Sequence, residues 1–170
     1  MKLEEKIKQR YLYSPGFNLI KNLYFYIQAL KSKKFIKKSY SGGAQDLIIN
    51  YFFKNKKKGT YIDVGCYHPY IGSNTKLLYD KGWLGINIDL DFHTIDFFNF
   101  VRKRDENINI AISDKEGEKD LYFFHNRSSI NSLSEIRKKE AKEIRKIQTK
   151  TLNSIFENSK FKNEQINLLS

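Results

Sequence analysis

One cysteine, Cys66, stands in a chain of 170 residues, so no internal disulfide can form and a secreted scaffold held by cystines is excluded. Proline occurs twice and glycine nine times, without a short repeat, which removes collagen-like and solenoid architectures. No apolar run reaches the roughly 20 residues that span a bilayer. The longest, Phe17–Leu30, has 14 residues and is broken by Asn18, Lys21, Asn22 and Gln28. It lacks the position and the small-residue cleavage site of a signal peptide. Neither Gly-x-Gly-x-x-Gly nor Gly-x-x-x-x-Gly-Lys-Ser/Thr occurs, and His68, His93 and His125 fit no zinc spacing. Dinucleotide, P-loop and metal sites are therefore not expected.

What is present is 40% hydrophobic and 15% aromatic residues, enough apolar surface for one domain of ordinary size. The expectation is a basic globular chain of cytoplasmic type, with attachment to a membrane surface as the alternative location. Its net charge of +12 is unevenly placed. Residues 1–60 hold 14 Lys/Arg against Glu4, Glu5 and Asp46, a net of +11, and residues 61–170 hold 17 against 16. The excess belongs to Lys31–Lys38 and Lys54–Lys58 and their surroundings, so residues 1–40 read as a basic, partly helical arm and 41–170 as the domain. Ile20, Leu23, Tyr24, Ile27 and Leu30 follow helical spacing. A helix packed through that stripe on the main domain is the plain expectation. A helix lying on anionic lipid, held by Lys31–Lys38, is the sharper one. Nucleic acid is not the expected partner, because no recognition motif accompanies the charge.

Beyond Gly59 the pattern alternates. Thr60–Val64, Leu84–Ile88 and Ile108–Ile112 read as short buried strands. A helix capped by Ser73 or Asn74 and stopped by Gly82 separates the first two, and one from about Phe92 to Arg104, capped by Asp91, separates the next two. This alternation predicts an α/β, Rossmann-like parallel sheet with helices on both faces and a ligand at the carboxyl edge of the strands. Leu121–Phe124 reads as a returning antiparallel strand, Glu135–Gln148 as a solvated helix, and Ile166–Leu169 as a further buried strand.

The loop Gly65–Gly72 suits a nucleoside better than a pyrophosphate: one glycine for close backbone approach, then an acid for ribose hydroxyls. Asp89 follows Gly65 by 24 residues, near the roughly 20 at which such an acid is expected. Asp63 can orient the loop and favour a nearby cation. Asp89 could instead be only a helix cap, and Asp63 only a strand end. His68 is the one candidate general base, although a loop-shaping role beside Pro69 is favoured. Cys66 reads as a small buried residue rather than a nucleophile.

GTYIDVGCYHPYIGSNTKLLYDKGWLGINIDLD (Gly59–Asp91), followed by INIAISDKEGE and SSINSLSE, resembles the FkbM-type S-adenosylmethionine-dependent methyltransferases. SGGAQDLIINYFF (Ser41–Phe53) is similar to the segment before that family's first strand, and KTLNSIFE (Lys150–Glu157) to the one before its fourth. The resemblance implies a class I methyltransferase fold and S-adenosylmethionine as cofactor. Gly65, Cys66, Tyr67 and His68 would contact its methionine part. Asp89 would bind the ribose, Leu90 would lie on the adenine, and Ile112 and Asp114 would flank the adenine edge. The implied activity is O-methylation of a sugar or other small hydroxyl-bearing metabolite in glycan or secondary-metabolite biosynthesis. The family continues past its fourth strand with an acidic motif, and Ile166–Ser170 stops just before it. The resemblance thus implies a C-terminally truncated domain that keeps the cofactor half and lacks most of the acceptor half. An inactive relic and a basic surface-binding protein are the alternatives.

Overall fold

The computed structural model describes residues 16–32, 39–126 and 128–170. Most of Lys31–Lys38 and of the arm before Gly16 lies outside the described residues. The chain is α/β. A four-stranded parallel sheet in the order β3-β2-β1-β7 is built from β1 (Thr60–Val64), β2 (Leu84–Asp89), β3 (Glu106–Asn109) and β7 (Ile166–Leu169). Its helices are α1 (Asn18–Ser32), α2 (Gln45–Phe52), α3 (Lys76–Asp80), α4 (Phe92–Val101) and α5 (Leu152–Glu157).

Alternation along the strands sorts the two faces of the sheet. Ile62, Ile86 and Ile88 point to one side and pack with Ile155 of α5 and Phe161. Tyr61 points to the other, where it meets Leu78 of α3, Trp83, and Ile49 of α2. Asn87 shares that second side, and both it and the Tyr61 hydroxyl donate to Asp105, which also accepts from Gly85 N at 3.0 Å. These bonds satisfy polar groups that would be costly to bury alone. Gly85 lies opposite Tyr61 in the β1–β2 register, and a Cβ there would collide with the Tyr61 carbonyl and ring. Helices therefore cover both faces, as expected. β7 pairs with β1, and no strand pairs with its other edge among the described residues.

Three expectations about strands, helices and caps need correction. Ile108–Ile112 is two strands rather than one. β3 follows β2 as far as Asn109, and Ile110 N still reaches the Asp89 carbonyl at 3.1 Å. There β2 turns into α4 and offers no further partner, so the chain peels away to form β4 (Ala111–Ile112) in a second sheet, β4-β6-β5. Glu135–Gln148 is not a helix: Glu135–Glu140 is a 3₁₀ turn, and Glu143–Lys150 is β6, antiparallel to β5 (Gly117–Phe123) and parallel to β4. The charges that could pair along a helix pair across strands instead, Lys146 with Asp120 at 2.7 Å, while the Arg145 guanidinium covers the Phe123 ring. Helix α3 is preceded by Thr75 rather than Ser73 or Asn74, and the Thr75 hydroxyl donates to Asp63 instead of capping.

Helix α1 packs on α4, as the plain expectation had it, but through the opposite face. Lys21, Asn22 and Ala29 are buried, and Ile20, Leu23, Ile27 and Leu30 are exposed. Lys21 Nζ is held by Asp96 at 2.8 Å and His93 Nδ1 at 3.0 Å, Asn22 Nδ2 donates to Asp96 at 2.9 Å, and the Phe25 ring tilts against Phe97.

Candidate active site

The divergence of β4 from β2 opens a cleft of about 370 Å³ at the carboxyl edge of the parallel sheet, where open α/β sheets bind ligands. One wall is Ile88–Asp91 with Gly65 and Tyr67, the opposite wall is Ile110–Ile112, and Ser128–Leu133 borders the mouth. The last segment is held against β5 by paired backbone bonds between Tyr122 and Ser132. Asn131 fastens it further, accepting from Phe124 N at 2.8 Å and donating to the His125 carbonyl at 2.9 Å.

The loop after β1 is clamped in an unusual shape. Gly65 takes φ +70°, and a Cβ there would meet nothing within 4 Å, so the space above it is open. Tyr67 takes φ +50°, a left-handed conformation that costs a non-glycine residue about 1–2 kcal/mol. Its peptide is gripped from both ends: Asp89 Oδ2 accepts from Tyr67 N at 2.9 Å, and Thr94 Oγ1 donates to the Tyr67 carbonyl at 3.2 Å. Asp89 Oδ1 accepts from Asp91 N at 2.9 Å, and Asp91 caps α4 through His93 N and Thr94 N. Asp89 thus ties the loop to the start of α4 and holds Tyr67 in its strained conformation.

Gly65, Tyr67, Asp89, Leu90 and Ile112, all expected site residues, line one cleft. Asp63, Cys66, His68 and Asp114 do not. Asp63 is buried beneath the loop, accepting from Thr75 Oγ1 at 2.7 Å. Burial pushes its carboxyl above the ordinary range, against the Thr75 bond and the Arg102 charge. Burial, with the Asp63 and Asp89 carboxylates, pushes the Cys66 thiol up, which keeps it protonated and poorly nucleophilic. His68 Nδ1 accepts from Tyr70 N at 3.1 Å and Ile71 N at 3.0 Å, so the ring shapes the loop. Asp114 is exposed and bonded to Lys119 at 2.8 Å, which holds its carboxyl below the ordinary value.

Sequence reasoning read Asp91 only as a helix cap, Ile110 only as part of a strand and Ser128–Leu133 only as part of the family resemblance, placed none of them at the ligand, and gave Thr94 no role. The place of residues 128–133 at the cleft depends on the β5–β6 hairpin, which their own sequence does not show. Among the described residues, no cluster of His, Cys, Asp or Glu could hold a metal ion. No helix there is long and apolar enough to cross a membrane. No protein-family model, curated protein or solved structure matches this chain.

Proposed function

We propose that the chain binds S-adenosylmethionine in this cleft and directs its methyl group to a hydroxyl of a sugar or another small metabolite. One observation carries the reading: the ionisable side chains lining the cleft are Asp89, Asp91 and Tyr67, with no Lys, Arg or His among the described residues. A phosphate-bearing nucleotide would face the Asp89 and Asp91 carboxylates, whereas a nucleoside bearing a sulfonium meets the matching charge.

The donors and surfaces present also fit that group. Asp89 stands at the end of β2 with its carboxylate oxygens accepting from Tyr67 N and Asp91 N beside the cleft, and a carboxylate is the acceptor that ribose hydroxyls match. Leu90, Ile110 and Ile112 offer apolar surface for a flat base, and the open space above Gly65 leaves room for the remainder. When bound, the cofactor supplies a methyl group already activated by its sulfonium. The chain's own work is therefore positioning and exclusion of water, which Tyr67 and the Ser128–Leu133 border are placed to do.

Calorimetry with S-adenosylmethionine and its demethylated product tests the reading. Both should bind, and Asp89→Ala should weaken each by at least about tenfold, the loss of hydrogen bonds to a charged group. Because Asp89 also braces the loop, a ribose-deoxy analogue separates the two roles. Its penalty in the wild type should vanish in Asp89→Ala. No detectable heat from either compound, or an undiminished penalty, defeats the assignment. Formation of demethylated product with sugar acceptors then distinguishes an enzyme from a protein that only binds.

A further inference from the structure

We infer that the outward face of α1 is a docking surface for an anionic lipid bilayer. At about 100° per residue, Leu19, Ile20, Leu23, Ile27 and Leu30 fall within a sector of about 100°, and Lys21, Asn22 and Ala29 lie on the opposite side. The first set is exposed by 72, 58, 50, 43 and 42%, whereas Lys21 is wholly buried. A helix that covers a domain in water buries its apolar stripe and shows its polar one. Here an ion pair from Lys21 and a hydrogen bond from the Asn22 amide to Asp96 spend the polar side inward, and five aliphatic side chains face out in a continuous strip.

Charge identifies the occupant. Lys31 closes α1, and Lys33, Lys34, Lys37 and Lys38 follow it in sequence, within a 60-residue stretch of net charge +11. A second copy of the chain docking on this face would bring two such stretches together against their repulsion. Nucleic acid would satisfy the lysines but has no use for an aliphatic strip. An anionic bilayer satisfies both, taking the strip into the boundary between headgroups and acyl chains and the lysines at the headgroups. A second exposed apolar set, Ile48, Tyr51 and Phe52 on α2, is likewise followed by a lysine run, Lys54–Lys58. The inference does not depend on the cofactor, so a domain that fails to bind S-adenosylmethionine leaves it standing.

The test is co-sedimentation of the full chain with phosphatidylcholine vesicles, with and without phosphatidylserine, at low and high salt. Binding should require phosphatidylserine and weaken with salt. The combination of Leu23→Gln and Ile27→Gln should lower it by at least about tenfold while leaving the denaturation midpoint unchanged, since both side chains already face water. The pair K33Q and K34Q should lower binding and flatten its salt dependence. Binding that is absent, indifferent to phosphatidylserine or unaffected by the Leu23/Ile27 pair overturns the inference. So does duplex DNA that displaces the vesicles and binds the Leu23/Ile27 variant as well as the wild type. A concentration-dependent dimer abolished by that variant assigns the face to a second copy instead.

Discussion

Replacing Arg102 with leucine removes the polar tie that holds the loop after β1 to α4. The guanidinium is buried and donates from Nη1 to Thr75 Oγ1 at 2.8 Å and from Nη2 to the Pro69 carbonyl and Ser73 Oγ, each at 2.7 Å. Thr75 in turn donates to Asp63. Leucine can rest on the Phe98 and Tyr79 rings that the guanidinium now covers, but it leaves three acceptors unmet and Asp63 buried without its cation. Removing one partner from such a network costs about 3–5 kcal/mol, a large share of the 5–15 kcal/mol that holds a domain together. Urea denaturation followed by the fluorescence of buried Trp83 measures the loss. Its pH dependence carries the sharper test. Burial raises the Asp63 carboxyl above its ordinary 3.8, and Arg102 opposes that rise. A carboxyl raised on folding contributes stability that is complete below its unfolded value and is lost as pH climbs through the folded one. Without Arg102 the folded value climbs further and the loss extends over a wider range, so the leucine variant should suffer most near neutrality and less near pH 4. Asp105, also raised by burial and also held down by Arg102, moves in the same direction when Arg102 is lost and adds to the effect. Arg102→Lys keeps the charge without the three-way fork and should fall between. A penalty under about 1 kcal/mol at neutral pH, or one that grows as pH falls, would refute the reasoning.

Asp96→Ala strands the buried Lys21 ammonium and should cost about 1–3 kcal/mol, less than for a fully buried pair because Asp96 is partly exposed. Hydrogen exchange should show the α1 amides losing protection while β1 and β2 keep theirs; unchanged α1 protection would remove the ion pair from its anchoring role. Ala44 precedes α2 with φ +61° and no side-chain cap. Ala44→Gly relieves that strain against a smaller gain in unfolded-chain entropy and should stabilise by about 0.5–1 kcal/mol. A lower Tm in the glycine variant would show that the left-handed turn is not the strained element.

Much of the central sheet was legible because its signals are local. Thr60–Val64 and Leu84–Asp89 are β-rich runs bounded by glycine or aspartate, and Asp91 caps the following helix where a cap was expected. Gly65, Asp89, Leu90 and Ile112 share a cleft because strand ends in this topology converge on one edge. The failures are non-local. Nothing in Ile108–Ile112 shows that β2 ends at Asp89 and withdraws its hydrogen bonds, so the break at Ile110 is decided by a neighbour. Glu143–Lys150 has charges spaced for a helix and β-branched residues suited to a strand, and pairing with β5 settles the contest. The Ser128–Leu133 border of the cleft inherits its position from that pairing.

Helix α1 shows the same limit from the other side. Its periodicity was readable, and the assumption that apolar side chains turn inward was the part that failed. That assumption holds when the inner partner is apolar. Here the surface of α4 offers Asp96 and His93 beside Phe97, and this patch accepts Lys21 and Asn22 with Phe25 and Ala29 filling the gaps. Rotating the helix by half a turn would bury five aliphatic residues, but it would also strand Asp96 opposite apolar groups and give up its ion pair. The polar face is satisfied only by this protein, whereas the aliphatic face can be satisfied by any sufficiently apolar surface. The orientation is thus determined by the scarcer partner, and the strip left outside follows from that choice.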